Sequence, residues 1–268
     1  KVYILDRVDL LGVSAANAFL KTLEEPVEGV TFILLGRTRE AVLPTIVSRC
    51  QVVPFRHIPA REAAGILSQK TGVTPEQARI AIEACNGSIT RAMTFAKSAE
   101  RAEFRTRIME VLSNLPLSDE RDVLEYAAEL IERAKAPLDN VRTQQSEELA
   151  ESADFLTKTA LKQIELRHKR ALSMATRESL NQTTSIIRSW LRDVLMIASG
   201  TPDLIVNIDQ REVLQRVAQK VTPASIMSAL REAYKTDETL SYNVSPETCL
   251  DVLLFSIREV LNGSGNPH

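Results

Sequence analysis

The first residues with possible catalytic chemistry follow an apolar stretch at the start of the chain. That stretch ends in Asp6, with Arg7 next to it and Asp9 three positions further on. In ATP-hydrolysing sites, an acid at the end of a strand holds magnesium and a neighbouring group positions the attacking water. Here a cation takes the second place and cannot activate water, so we interpret the site as degenerate. The alternative is that Asp6 only caps a strand.

Other chemistry-bearing motifs are scarce in the sequence. It has no G-x-x-x-x-G-K-[ST] loop to cradle a triphosphate, and no H-E-x-x-H or G-x-S-x-G motif. The three histidines show no ligand spacing, and the three cysteines Cys50, Cys85 and Cys249 form no C-x-x-C pair. We therefore expect no metal site. Sparse unpaired cysteines favour reduced thiols and a cytoplasmic location.

A basic cluster in the second half of the chain is a candidate contact for nucleic acid. Arg167, Lys169 and Arg170 lie close together in a predicted helix. Such side chains bind phosphate groups of DNA. The alternative is a solvated helix face, because Glu165 and Glu178 are interleaved with the cations.

The elements that must position these residues change in type near Pro59. Before it, apolar runs at 2–5, 30–35 and 51–55 predict strands, separated by predicted helices at 15–25 and 44–47, a pattern typical of parallel α/β structure. After it, the chain reads as helical. We predict helices over 60–69, 75–85, 88–113 and 119–134, a polar connection over 137–146, long amphipathic helices over 147–199, three more helices near 210–220, 223–236 and 246–261, and a loose tail from 262 to 268.

The composition is that of a globular protein with little aromatic content. The 268 residues are 44% hydrophobic, 25% charged and 4% aromatic, with a formal net charge of −2. These values exclude a mainly disordered chain, and no stretch approaches the roughly 18 apolar residues of a membrane span. A dedicated nucleic-acid binder is usually more basic than this.

Two motifs identify a family resemblance. The run NAFLKTLEEP at 17–26 and the Ser48-Arg49-Cys50 triplet, in this order and after the first strand, resemble the clamp-loader branch of the AAA+ ATPases. That branch includes the gamma/tau and delta-prime subunits of bacterial DNA polymerase III. The resemblance is strong over 1–56 and weaker over 57–112, where 86–92 is similar to a lid motif. Beyond that it is topological, apart from 242–246.

The resemblance implies a mainly α protein with four parts. These are a partial AAA+ α/β core with parallel strands at 1–56, a helical lid at 57–113, a helical collar at 114–262 and a flexible tail at 263–268. The family's sheet order is 5-1-4-3-2, so the three predicted strands would be strands 3, 4 and 5, with strand 1 missing between the last two. We therefore expect that the sequence begins inside a domain, with exposed strand edges and a first unit less stable than the helices.

The resemblance also assigns roles to single residues. Arg49 would be an arginine finger that reaches the magnesium–ATP of a neighbouring subunit, within a motif completed by Ser48 and Cys50. The alternatives are an Arg49 ion pair within its own domain, and packing or turn roles for Ser48 and Cys50. No cofactor is expected on this chain itself.

Three departures from the ATPase members favour a delta-prime-type subunit without ATPase activity. Arg7 replaces the Walker B glutamate, and Gly36 replaces a polar sensor. Thr90 stands where a sensor arginine is expected, with Arg91 one position later. A one-residue shift turns a helical side chain by about 100°.

The implied function is that of an accessory, non-catalytic subunit of a DNA-directed DNA polymerase. It would hold the loader ring together through the collar, contacting gamma/tau and delta subunits, while the sliding clamp is loaded on primed DNA. One alternative is an active gamma/tau-like ATPase whose phosphate loop lies upstream of Lys1. The other is a helical interaction module unrelated to replication.

Overall fold

A computed structural model describes residues 1–152, 155–240 and 244–263, without the side chains of Asn140, Glu151 and Ser152. The chain divides into two compact units, Lys1–His57 and the residues from Ile58 onward. The resemblance at 242 and 243 and the predicted tail at 264–268 lie outside the described residues.

The first unit contains a small parallel sheet. Strand β1 (Val2–Leu5) pairs with β2 (Thr31–Leu34), with Val2 opposite Thr31 and Leu5 opposite Leu34. Helix α1 (Val13–Glu24) connects the strands, and the short helix α2 (Pro44–Val47) follows. The first two predicted strands and both helices of this unit are therefore confirmed.

The core of this unit is small. Val8, Ala16 and Ile46 are its buried apolar residues, and Tyr3 and Phe19 each contact the ring of Phe32, with centroids 5.5 and 5.4 Å away. Most other apolar side chains of the sheet stay in contact with solvent. The unit therefore buries little apolar surface in itself.

The third predicted strand, over 51–55, is wrong. These residues form no strand, and the described part of the unit pairs only β1 with β2. An apolar run becomes a strand only when a neighbour completes its backbone hydrogen bonds. Without such a neighbour, Val53 and Phe55 remain 66% and 92% exposed.

The second unit is helical. Its helices are α3 (Ala60–Thr71), α4 (Pro75–Ala84), α5 (Ile89–Lys97), α6 (Ala99–Asn114), α7 (Glu120–Lys135), α8 (Pro137–Ser152), α9 (Lys158–Ala198), α10 (Arg211–Ala218), α11 (Pro223–Thr239) and α12 (Pro246–Leu261). Many starts are fixed by side-chain caps. Thr74 and Gln77 form a capping box before α4, and Ser88 accepts a hydrogen bond from the Arg91 amide at the start of α5.

Two predictions about these helices are wrong. The single helix predicted over 88–113 is broken at Ser98, which ends α5 and caps α6 by accepting a bond from the Arg101 amide. The polar connection predicted over 137–146 is helical and belongs to α8. Its polar composition suits a helix that packs on few neighbours. Ala136, just before α8, already has helical backbone angles, so the chain continues from α7 into α8 without an extended connection.

Helix α9 is the central element. Its 41 residues span about 60 Å. Ile186, Trp190 and Val194 are fully or almost fully buried, as expected for the apolar face of the amphipathic helix predicted in this region. In the N-terminal half, up to residue 179, His168 is the buried residue, and that half packs with α8.

One core runs through the whole helical unit. It extends from Ala63 in α3, past Trp190 in α9, to Leu261 in α12. The predicted lid and collar regions both contribute to it. The boundary between them near residue 113 stays a prediction.

A buried polar network joins α6 to α9 within this core. Arg105 donates to both carboxylate oxygens of Asp209, at 2.8 and 2.9 Å, and to the Asn207 side-chain oxygen at 2.7 Å. Asn207 donates in turn to Ser189 at 3.0 Å and to Asp193 at 2.8 Å. Asp193 is fully buried and also accepts the Asn207 amide at 2.7 Å. The network therefore fixes the segment around 207 against both helices.

Among the helices that the structure describes, none is long and apolar enough to cross a membrane.

Candidate functional site

Arg49 lies two residues after the end of helix α2, in the first unit. Its Nε donates to Oε1 of Glu24 at 2.6 Å, and Nη2 lies 2.5 Å from the same oxygen. Nη1 donates to the Thr45 carbonyl at 3.0 Å and to the Ser48 hydroxyl at 3.3 Å. The guanidinium is therefore oriented by its own unit, while its side chain remains 34% exposed.

Glu24 was missed as a site residue in the sequence, although it belongs to the NAFLKTLEEP run. It is the last residue of α1, and its side chain is 47% exposed. An ion pair this exposed contributes about 0–1 kcal/mol of stability, because water solvates both charges nearly as well. The sequence did offer an indication, because Glu24 and Glu25 form an acid pair at a helix end in the NAFLKTLEEP run, which carries the same family resemblance as Arg49. The pair orients Arg49 without holding it strongly.

Ser48 and Cys50 have local contacts. The Ser48 hydroxyl donates to the Thr45 carbonyl at 3.1 Å, which closes the end of α2. Cys50 is partly buried, and burial raises the pKa of its thiol above 9.0. A protonated thiol is a poor nucleophile. These contacts fit the turn and packing roles that the sequence left open for both residues.

Asp6 and Arg7 follow strand β1. Asp6 is exposed, and Arg7 has a left-handed backbone conformation with φ 58° and ψ 48°. The Arg7 guanidinium turns to Asp9, with nitrogen–oxygen distances of 3.3 and 3.4 Å. Asp9 therefore neutralises Arg7, and Asp6 is the one acid left in this loop facing solvent.

Gly36 follows strand β2. A Cβ atom built on Gly36 would lie 2.6 Å from Cγ2 of Val42 and 3.7 Å from Cγ2 of Val8. Any larger residue would have to displace Val42. At the position where ATPase members of the family carry a polar sensor, this chain thus has a glycine packed against valine side chains.

Thr90 and Arg91 belong to the helical unit, at the start of α5. Thr90 is exposed. Arg91 donates from Nη2 to the Cys85 carbonyl at 3.1 Å and from Nη1 to Glu178 of α9 at 3.4 Å. A cation beside the last carbonyls of a helix stabilises that end. Arg91 therefore contacts both the end of α4 and helix α9.

The basic cluster lies on the N-terminal half of α9. Arg167 is 69% exposed, 3.9 Å from Glu148 of α8, and the neighbouring His168 lies 3.3 Å from the same carboxylate. Lys169 and Arg170 are exposed and form no ion pair with the described part of the chain. Three cations are thus presented to solvent, and among the described residues their ion-pair partner is Glu148, through Arg167.

The described residues contain no group of three or more histidine, cysteine or acidic side chains that could hold a metal ion. In the first unit, the structure brings Ser48, Arg49 and Cys50 together around α2. Asp6, Arg7 and Gly36 lie in the loops that follow the two paired strands.

Comparison with known proteins gives two family matches and several relatives. Residues 1–59 match the family described as DNA polymerase III, delta subunit, and residues 146–258 match the family described as DNA polymerase III, delta subunit, C terminal. The DNA polymerase III subunit delta' of Bacillus subtilis is 31% identical over 111 residues, which are 41% of this chain and 33% of that protein. The Bacillus subtilis subunit tau is 31% identical over 158 residues, 51% of this chain and 28% of that protein. The Escherichia coli subunit tau is 48% identical over 50 residues, 19% of this chain and 8% of that protein. The chain thus matches about a third or less of the length of each relative.

Proposed function

Because the chain belongs to the delta-prime and gamma/tau family of bacterial DNA polymerase III subunits, we propose that it acts as a clamp-loader subunit that does not hydrolyse ATP itself. It donates Arg49 to magnesium–ATP bound by a neighbouring subunit. Its helical part holds the loader ring together with gamma/tau and delta subunits during clamp loading on primed DNA, in the cytoplasm. Arg167, Lys169 and Arg170 are the candidate contacts with that DNA.

The arginine-finger proposal rests on the orientation and the solvent exposure of the Arg49 side chain. Its guanidinium is oriented by Glu24, Thr45 and Ser48, yet a third of the side chain is exposed. The planar fork of arginine matches phosphate oxygens in a way that lysine does not. Since the exposed ion pair with Glu24 contributes little, a γ-phosphate with its higher charge competes with it at small cost.

Two features support the absence of hydrolysis on this chain. Arg7 stands beside Asp6 and is neutralised by Asp9. Gly36 leaves no room for a polar sensor without a shift of Val42. Each removes a group that an active site needs to position water or sense phosphate.

The test uses the full-length protein assembled with its gamma/tau and delta partners. We expect Arg49→Ala to lower the DNA-stimulated ATPase rate of the loader at least about 10-fold, since arginine fingers contribute roughly 10³–10⁵ in other nucleotide hydrolases. Arg49→Lys should recover little of the rate. Glu24→Gln is the matched control, because it removes the same ion pair and keeps the guanidinium, and its rate should stay within about 2-fold of wild type.

Equal losses in Arg49→Ala and Glu24→Gln would show that the ion pair, and not phosphate contact, matters. Calorimetry of the full-length protein with magnesium–ATP tests the second part of the proposal. Tight binding with fast hydrolysis would establish the gamma/tau-like ATPase instead. Intact assembly in all variants, checked by gel filtration, separates a catalytic defect from a failure to form the ring.

A further inference from the structure

Two cavities of the helical unit lie along one face of α9. The first, of about 490 Å³, opens between α9 and α11, and the second, of about 720 Å³, opens between α9, the α3–α4 pair and the segment at 204–206. Glu83 and Arg192 line both cavities, and their side chains form an ion pair at 2.6 Å. The two cavities are therefore adjacent, with this ion pair between them, and we call them together the arginine groove.

The groove is long enough for a peptide segment. Along α9 its wall runs from Ser185 to Met196, and along α4 it runs from Pro75 to Asn86. Eleven helical positions correspond to about 16 Å. That length accommodates about three turns of helix, or about five residues of extended chain.

The lining of the groove carries more cations than acids. Glu83 is the one acid among its described lining residues, against five arginines, Arg61, Arg79, Arg188, Arg192 and Arg231. Arg188 pairs with Asp237 and donates to Asn86. Arg192 pairs with Glu83 and Asp193, so the charge surplus comes from the other three arginines. Arg61 and Arg231 are exposed and form no ion pair with any residue that the structure describes. This surplus stands out on a chain whose net charge is −2, and it calls for an acidic occupant.

Apolar side chains alternate with these cations. Leu204, Met227 and Tyr234 line the groove and are 61%, 45% and 60% exposed. Methionine, tyrosine and arginine are enriched in protein interfaces, where apolar stems and charged heads act together. The groove thus offers apolar contacts beneath a positively charged rim.

We propose that the arginine groove binds a short acidic, amphipathic peptide segment of a partner protein. Its carboxylates would face Arg61, Arg79 and Arg231, and its apolar side chains would rest on Met227 and Leu204. Single-stranded nucleic acid is less well matched, because such strands bind through successive aromatic faces. Tyr234 is the one aromatic ring lining the described groove, and the guanidinium of Arg188 lies 4.9 Å from its centre. The proposal does not depend on Arg49 or on ATP.

The test measures fluorescence anisotropy of two labelled probes with the full chain. One is a 16-residue peptide with glutamates on one helical face and leucines on the other, and the second is a dT16 oligonucleotide. We expect peptide binding that the double variant Arg79→Glu/Arg231→Glu weakens at least about 10-fold, since two charge-assisted contacts become repulsive. Met227→Gln, which leaves the charge unchanged, should weaken binding about 3-fold by loss of apolar contact.

The matched control is Arg121→Glu/Arg177→Glu, which makes the same change in net charge at exposed positions outside the groove. It should leave peptide affinity within about 2-fold of wild type at 0.15 M salt, where distant charges are screened. Equal weakening in the control would overturn the proposal, as would an affinity insensitive to both groove variants or no peptide binding. Tighter binding of dT16 that is lost in the groove variants would assign the groove to nucleic acid and overturn the peptide occupant.

Discussion

Replacement of Arg105 by methionine tests the buried network that joins α6, α9 and the segment around 207. The Arg105 side chain is 9% exposed and makes three hydrogen bonds of 2.7 to 2.9 Å. Methionine fills a similar volume but donates nothing, so the buried Asn207 side-chain oxygen loses its partner. Breaking a buried charged pair usually costs about 3–5 kcal/mol. Asp209 is 42% exposed and can be rehydrated, so we expect a smaller loss of unfolding free energy, about 2–3 kcal/mol.

The assay is urea unfolding of wild type and Arg105→Met at pH 7, followed by circular dichroism at 222 nm. The expected result is a lower midpoint with an unchanged slope, because the surface exposed on unfolding stays the same. Arg121→Met is the control, since Arg121 is 85% exposed and pairs with Glu125 of its own helix. It should leave the midpoint unchanged.

The pH dependence gives a second, independent readout. Burial raises the pKa of Asp209, but hydrogen bonds and charge from Arg105 outweigh it, so the pKa lies below its ordinary value of 3.8. A carboxyl group whose pKa is lowered in the folded state stabilises the fold at pH values above its pKa in the unfolded chain. This stability is lost as the pH falls through the pKa of the folded state. The difference between wild type and Arg105→Met should therefore shrink below about pH 4. A difference under about 1 kcal/mol at pH 7, or one that does not shrink at low pH, would refute the reasoning.

Three further predictions concern single groups and the sheet. Amides of β1 and β2 should exchange with deuterium much faster than those of residues 183–194 in α9, because the sheet has a small core; equal protection in hydrogen-exchange mass spectrometry would contradict this. The pKa of Glu247 lies at about 2, lowered first by the Ser245 hydroxyl and then by Lys135. Ser245→Ala should therefore raise it more than Lys135→Ala in an NMR titration, and the stabilisation from this group should be lost as the pH falls from 4.5 toward 2. Burial raises the pKa of both Cys50 and Cys85, but only the Cys85 side chain is fully covered. In the native protein, Cys50 should therefore react with a thiol reagent before Cys85; the reverse order, followed by mass spectrometry, would be inconsistent with this packing.

The sequence predicted those elements whose signals are local. The starts of α4 at Pro75 and of α5 after Ser88 agree with the helices predicted from 75 and 88, and Gly87 between them has the left-handed φ of 79° typical of a helix cap. The amphipathic pattern over 147–199 predicted the helix that contains Trp190, which lies on the buried face of α9. These features depend on neighbours within a few positions along the chain.

Other features depend on partners far along the chain, and the sequence could not supply them. The run at 51–55 has strand composition, but a strand needs a neighbouring ladder. The polar stretch that became α8 is helical because it packs on α9, which composition does not reveal. Arg49 was recognised from its motif, whereas its partner Glu24 lies 25 residues earlier.

The continuous core around α9 has a consequence for how such proteins can be recombined. Residues 183–194 are buried on nearly every side, by helices from both the predicted lid and the predicted collar. A chimaera that exchanges residues 58–113 alone between relatives would leave side chains such as Ile186 and Trp190 facing a mismatched surface, and close-packed interiors tolerate such mismatch poorly. Successful exchange would have to carry the matching half of α9 with the lid, so these two distant stretches of sequence are expected to be inherited together.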